Sequence, residues 1–198
     1  MLRVEFVGIP GCGKSSIFTD VSERVEKEFH LKENLRREIV KKYCENKSLS
    51  FLQRMRLQIF WNNSTPFPNA LIREVYKSKN QVSGEFFRYV ARTVWTSDAE
   101  FERQLNAFRL FQDEYALYES LNRFDVKCNS LLDEHLIQRV FTLFYQKQSA
   151  NCSEKVLEYF KLVPVPTHLV FVKLSPEVAV TRIESRYKKT GRINQLEE

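Results

Sequence analysis

Residues 3–18 read RVEFVGIPGCGKSSIF and hold three of the chain's five glycines within six positions, directly ahead of a lysine and two serines. Glycine is costly in a helix or strand but permits backbone that other residues avoid, so this cluster constrains the fold more than any other stretch. Gly8, Gly13, Lys14 and Ser15 fit the spacing G-x-x-x-x-G-K-[ST], the Walker A or P-loop pattern. Its chemistry explains its composition. A triphosphate held by backbone N–H groups needs side chains out of the way, and left-handed glycines let those groups converge. A helix opening at the end of the loop adds unpaired N–H groups and the positive end of its dipole. Lys14 then reaches the β- and γ-phosphates of ATP, and the Ser15 hydroxyl ligates Mg²⁺. Gly8, Ile9, Pro10, Gly11, Cys12, Gly13, Lys14, Ser15 and Ser16 form the expected nucleotide cradle.

The flanks have the order such a loop requires. RVEFV (3–7) reads as a short buried strand, and residues 14–29 as a helix with Ile17, Val21, Val25 and Phe29 on one face. From 31 to 124 the pattern is mostly helical: residues 33–45, 48–61, 68–79 and 84–95 read as helices, with a two-proline break at 62–70. Residues 97–124 are the clearest helix, with Ser97 and Glu100 spaced as a capping box and a core stripe of Phe101, Leu105, Phe108, Tyr115 and Leu121. Two more strands are expected near 126–132 and 168–173. After the second of these, Ser175 is placed to cap a helix, with Pro176 at its first position and Glu177 in its first turn. Strands separated by helices predict an α/β domain spanning 1–198, a P-loop NTPase-type parallel sheet flanked by helices. The helical segment 31–124 would form a lid or substrate-binding flank.

Two further constellations belong at the carboxyl ends of the strands, where open α/β sheets bind ligands. The middle strand runs into LLDEHLIQR (131–139). Asp133 is the expected Mg²⁺ carboxylate, Glu134 a general base or second metal contact, and Arg139 a group in reach of an anionic acceptor. After the last strand, Arg182 and Arg186 stand four apart on one helix face, suited to clamping a transferring phosphoryl group, and Lys188, Lys189 and Arg192 extend the basic run.

A net charge of +6 with a pI near 9.1 favours anionic partners. The four cysteines are scattered without a C-x-x-C pair, which argues against a zinc site or disulfide framework and fits a reducing cytoplasm. Glu5 and Gly8 interrupt any signal-peptide core, and no apolar run is long enough to span a membrane.

Together, GIPGCGKSS, LLDEHLIQR and HLVFVKLSPEVAVTRIESR resemble the P-loop nucleoside and nucleotide kinase group, especially thymidylate-kinase-like proteins. That resemblance implies ATP in the glycine loop, Asp133 serving metal or acceptor, and Arg182 with Arg186 as lid arginines. The chain differs from thymidylate kinases in carrying Pro10-Gly11 where they have Asp-Gly, and Asp133-Glu134 where they have Asp-Arg. In the group a further strand and an adenine-contacting loop would follow where this chain stops, so the expectation is either a truncated chain or an adenine site built differently. The expected function is a kinase moving the γ-phosphoryl of ATP to a small-molecule acceptor such as a nucleoside, nucleotide or sugar-like alcohol. The alternatives are an NTP-binding regulatory module without acceptor and a polynucleotide 5′-kinase, for which the partner is nucleic acid. A GTPase is disfavoured, because NKSL (46–49) lacks the aspartate of a guanine reader.

Overall fold

The structure, a computed structural model, describes residues 1–47, 49, 50, 52, 81–144 and 152–190. The expected helices over 48–61 and 68–79, the break at 62–70 and the basic run at Lys188, Lys189 and Arg192 lie outside the described residues or side chains.

Three parallel strands form an open sheet in the order β2-β1-β3, with β1 Arg3–Val7, β2 Ser130–Leu132 and β3 His168–Phe171. Seven helices accompany it among the described residues: α1 Lys14–Val25, α2 Lys32–Asn46, α3 Gln81–Trp95, α4 Phe101–Arg123, α5 Val140–Leu143, α6 Cys152–Leu162 and α7 Pro176–Thr190. The chain is therefore mixed α/β, with all crossovers between strands made through helices, as parallel pairing requires.

Two apolar clusters hold this arrangement. One joins Leu35, Ile39 and Tyr43 of α2 to Leu117 and Leu121 of α4 and to Leu132 of β2. The other joins Val7 of β1, Phe86 and Val90 of α3, Phe111 and Tyr115 of α4, Val140 of α5 and Tyr159 of α6. α4 contributes to both, so it links the two halves of the core. Of the aromatic rings expected in the core stripe, Tyr115 is buried and Phe108 half-buried while Phe101 is exposed; Phe86 lies against Phe111, Tyr115 and Tyr159.

Several boundaries differ from expectation. α1 ends at Val25, and its Ile17 is exposed; Phe18, whose ring meets Phe6 edge-on at 5.5 Å, faces the sheet instead. β2 is three residues long and starts at Ser130, and the Val126 N–H, expected in the strand, bonds back to the Leu121 carbonyl at the end of α4. β3 ends at Phe171 rather than 173. The capping box does not form: the Ser97 hydroxyl donates to the Val94 carbonyl, and α4 starts at Phe101. Phe101 and Leu105 are exposed, while Phe111, Glu114, Tyr115, Leu117 and Leu121 are buried. The start of α4 extends past the core, so the buried stripe begins further along than periodicity suggests. α7 does begin at Pro176, with the Ser175 hydroxyl accepting from the Val178 N–H at 3.4 Å.

Candidate functional site

The glycine loop leaves β1 at Gly8 and enters α1 at Lys14. Gly11 and Gly13 are left-handed, with φ of 81° and 88°, the conformation that favours glycine. The Ser16 and Ile17 N–H groups fold back on the Gly13 carbonyl as the helix opens. A Cβ on Gly8 would come within 2.6 Å of the Cys12 Sγ and 2.8 Å of the Val172 carbonyl oxygen. One on Gly11 would meet the Ala179 carbonyl oxygen at 2.6 Å. Glycine is thus demanded at these points by close approach as well as by backbone angle.

Lys14 is 6% exposed, and its ammonium contacts both carboxylates of the strand-end pair. It forms an ion pair with Asp133 Oδ1, donates to the Asp133 carbonyl at 3.1 Å, and lies 3.7 Å from Glu134 Oε1. Residues 119 positions apart in sequence meet because β1 and β2 are parallel neighbours and both motifs follow their carboxyl ends. Arg139 is buried, with its Nη2 3.3 Å from Glu114 Oε1 and 3.5 Å from Glu134 Oε2.

Glu114 was not singled out by the sequence reading, nor were Lys32, His135, Gln138 or Glu5. Glu114 is 1% exposed on α4, where it bonds Lys32 Nζ, His135 Nδ1 at 3.0 Å and Arg139. Burial alone would raise its pKa, but the His135 hydrogen bond and the charges of Lys32, His135 and Arg139 outweigh it and hold the carboxyl at about 2. A signal for it existed: Glu114 lies three residues after Phe111 and three before Leu117, on the core stripe itself. Glu5, 1% exposed in the central strand, has the opposite shift. Burial raises its pKa, against the lowering effect of the His135 charge and of the Gln138 and Ile137 N–H groups. The residues after Asp133 are therefore fixed from several sides, with the Tyr159 hydroxyl also donating to the Leu136 carbonyl at 2.5 Å.

α7 lies across the other side of the loop. Ala179 is buried there, and Arg182 Nη1 donates to the Cys12 carbonyl at 3.3 Å. Arg186, one turn on, is exposed. The Ser15 side chain is exposed in the first turn of α1, and the Asp133 and Glu134 carboxylates stand beside Lys14. Among the described residues no group of three or more His, Cys, Asp or Glu side chains stands together to hold a metal ion, so a cation here would take few protein ligands and complete its shell with water and phosphate. All four cysteines are unbridged, and no described helix is long and apolar enough to cross a membrane. A cavity of about 710 Å³ opens at the amino ends of β1 and β2, beside Arg3, His30 and Asn129. It is at the end of the sheet away from the glycine loop, and open parallel sheets bind ligands at the carboxyl end.

Family models, curated proteins and solved structures all yield no significant match to this chain.

Proposed function

We propose that the chain is a P-loop kinase that transfers the γ-phosphoryl group of ATP to a small-molecule acceptor, with Mg²⁺ as the metal. One observation carries this reading. The lysine of the glycine loop and the acid ending the adjacent strand, 119 residues apart in sequence, contact each other at the carboxyl ends of neighbouring parallel strands. A structural ion pair alone would not explain why the partner of Asp133 stands in a G-x-x-x-x-G-K-S loop with two left-handed glycines.

In this reading the phosphates are bound by N–H groups of the loop and the first turn of α1 other than those of Gly8, Cys12, Ser16 and Ile17, which bond Gln138, Ile9 and Gly13, and Lys14 exchanges its Asp133 contact for one to the transferring group. Ser15 and Asp133 would hold Mg²⁺, which supplies charge neutralisation between the β- and γ-phosphates. Glu134, half exposed and 3.7 Å from the lysine, accepts the acceptor hydroxyl proton. Arg139 orients Glu134, since the structure ties it to that carboxylate and to Glu114. Arg182 and Arg186 neutralise charge on the equatorial oxygens. Catalysis rests on positioning and electrostatics, which need little covalent chemistry from the protein. Four unbridged cysteines suit a reducing compartment, the cytoplasm.

The test is ADP release measured over a panel of nucleosides, nucleotides, sugar alcohols and 5′-hydroxyl oligonucleotides. Acceptor-dependent release that Lys14→Ala reduces about a hundredfold or more is expected. Release with oligonucleotides alone would make the chain a polynucleotide kinase. Tight ATP binding with no acceptor in the panel would make it a nucleotide-binding module.

A further inference from the structure

β1 runs one step past its neighbour. β2 pairs with it through Glu5↔Leu132 and then turns away at Asp133, whereas the β3 side continues to Val7↔Phe171 and the Val172 N–H still reaches the Val7 carbonyl. The backbone of Gly8 is buried on the side that β2 has left. A buried N–H and C=O without partners would cost the full desolvation of both groups. The Gln138 side chain fills that place. Its Oε1 accepts from the Gly8 N–H at 3.1 Å, and its Nε2 donates to the Gly8 carbonyl at 3.1 Å. The amide pairs both polar groups of one residue, as a neighbouring strand would. Its own backbone N–H donates to Glu5 Oε1 at 3.0 Å, so the side chain is anchored from the same strand it completes.

We infer that Gln138 is a positioning residue that extends the β1 ladder onto Gly8 and thereby fixes the first glycine of the loop relative to the turn bearing Asp133 and Glu134. This inference rests on the kinase reading only for its effect on nucleotide binding. Gln138 contacts no phosphate itself; it sets where the loop begins. A side chain at Gly8 is excluded, since an added Cβ would come within 2.6 Å of the Cys12 Sγ and 2.8 Å of the Val172 carbonyl oxygen. Glutamine is suited to the role because it carries one donor group and one acceptor on a neutral side chain. Methionine has similar length and volume and neither function.

Two measurements test it, one on the wild-type protein. By NMR, the Gly8 amide and the Gln138 side-chain NH₂ should both exchange with deuterium slowly. A Gln138 NH₂ exchanging as fast as that of a solvent-exposed glutamine would overturn the inference whatever the protein binds. In Gln138→Met, Gly8 exchange should accelerate and affinity for a fluorescent ATP analogue should fall about tenfold, as expected from losing two neutral hydrogen bonds. Helical content should stay at the wild-type level. Unchanged affinity in a variant whose Gly8 amide has lost protection would overturn the positioning role and leave the kinase reading standing. Failure of the wild type to bind the analogue would overturn the kinase reading, while the exchange of Gly8 still decides the structural role of Gln138.

Discussion

Glu114 is a buried acid surrounded by basic groups: Lys32, His135 and Arg139 all reach its carboxylate. Removing one partner from such a set leaves charges without compensation, which costs more than the set contributes over an apolar replacement. Glu114→Gln is therefore expected to destabilise the fold by about 3–5 kcal/mol in urea titration. The pH dependence follows from the direction of the shift. The folded-state value of about 2 lies below the ordinary 4.5, so the stabilisation is complete above pH 4.5 and is lost as pH falls toward 2. The stability difference between wild type and Glu114→Gln should narrow over that window. A difference that stays constant through it would show that the carboxylate is not held ionised by its neighbours. Lys14 presents a different balance. Its charge is compensated by Asp133 and Glu134, so Lys14→Ala leaves two carboxylates facing each other in the structure without their shared cation. A milder loss of stability is expected than at Glu114, because Glu134 is half exposed and solvent screens it. Under the kinase reading the large effect should fall on phosphoryl transfer.

At the scale of elements, the contact between α7 and the glycine loop has no tolerance. Gly11→Ala would place a methyl group 2.6 Å from the Ala179 carbonyl and 2.9 Å from the Ile183 Cγ1, at a φ of +81°. Strain and overpacking add, and a loss of about 2–4 kcal/mol is expected from thermal or urea unfolding. Wild-type stability for this variant would mean that α7 does not pack on the loop as described. Arg182→Ala tests the same contact without strain. Arg182 is exposed and donates to the Cys12 carbonyl at 3.3 Å, so its loss should barely change stability. Under the kinase reading it should lower kcat by more than it raises KM for ATP, because a clamp on the transferring group acts in the transition state. Equal effects on binding and turnover would reduce Arg182 to a support for the loop.

Across the whole molecule, α4 joins the two apolar clusters, with Leu117 and Leu121 in one and Phe111 and Tyr115 in the other. Phe111 is fully buried against Phe86, Phe87, Phe108 and Tyr115. Phe111→Ala should cost about 3–5 kcal/mol, and Leu35→Ala in the other cluster about 2–5 kcal/mol. Because one helix spans both clusters, each variant should still unfold in a single transition, with far- and near-ultraviolet circular dichroism coincident. Two separated transitions would mean that the clusters fold independently.

The glycine loop, the strand-end acid and the alternation of strands with helices were legible in the sequence because each is a local rule. Backbone that needs positive φ selects glycine, and a buried parallel strand selects a short apolar run. Local rules also placed the starts of α1 and α7, where a lysine-serine step follows the loop and a proline follows Ser175. They failed where burial depends on what lies opposite. Ile17 and Phe101 fit apolar stripes yet face outward, while Glu5 and Glu114, both acids, are almost fully buried. Periodicity marks which residues share a face, but only the packed neighbours decide whether that face is covered. The same reason hid Gln138. Its role exists because β2 is only three residues long and leaves Gly8 without a ladder partner on that side, and the distant residue it must pair, 130 positions earlier and just past β1, is brought to it only by the parallel pairing of the two strands. The sequence alone determined the chemistry available at the loop. Tertiary structure decided which buried groups hold it in place, because a buried charge or amide is stable only against partners that the fold brings from distant parts of the chain.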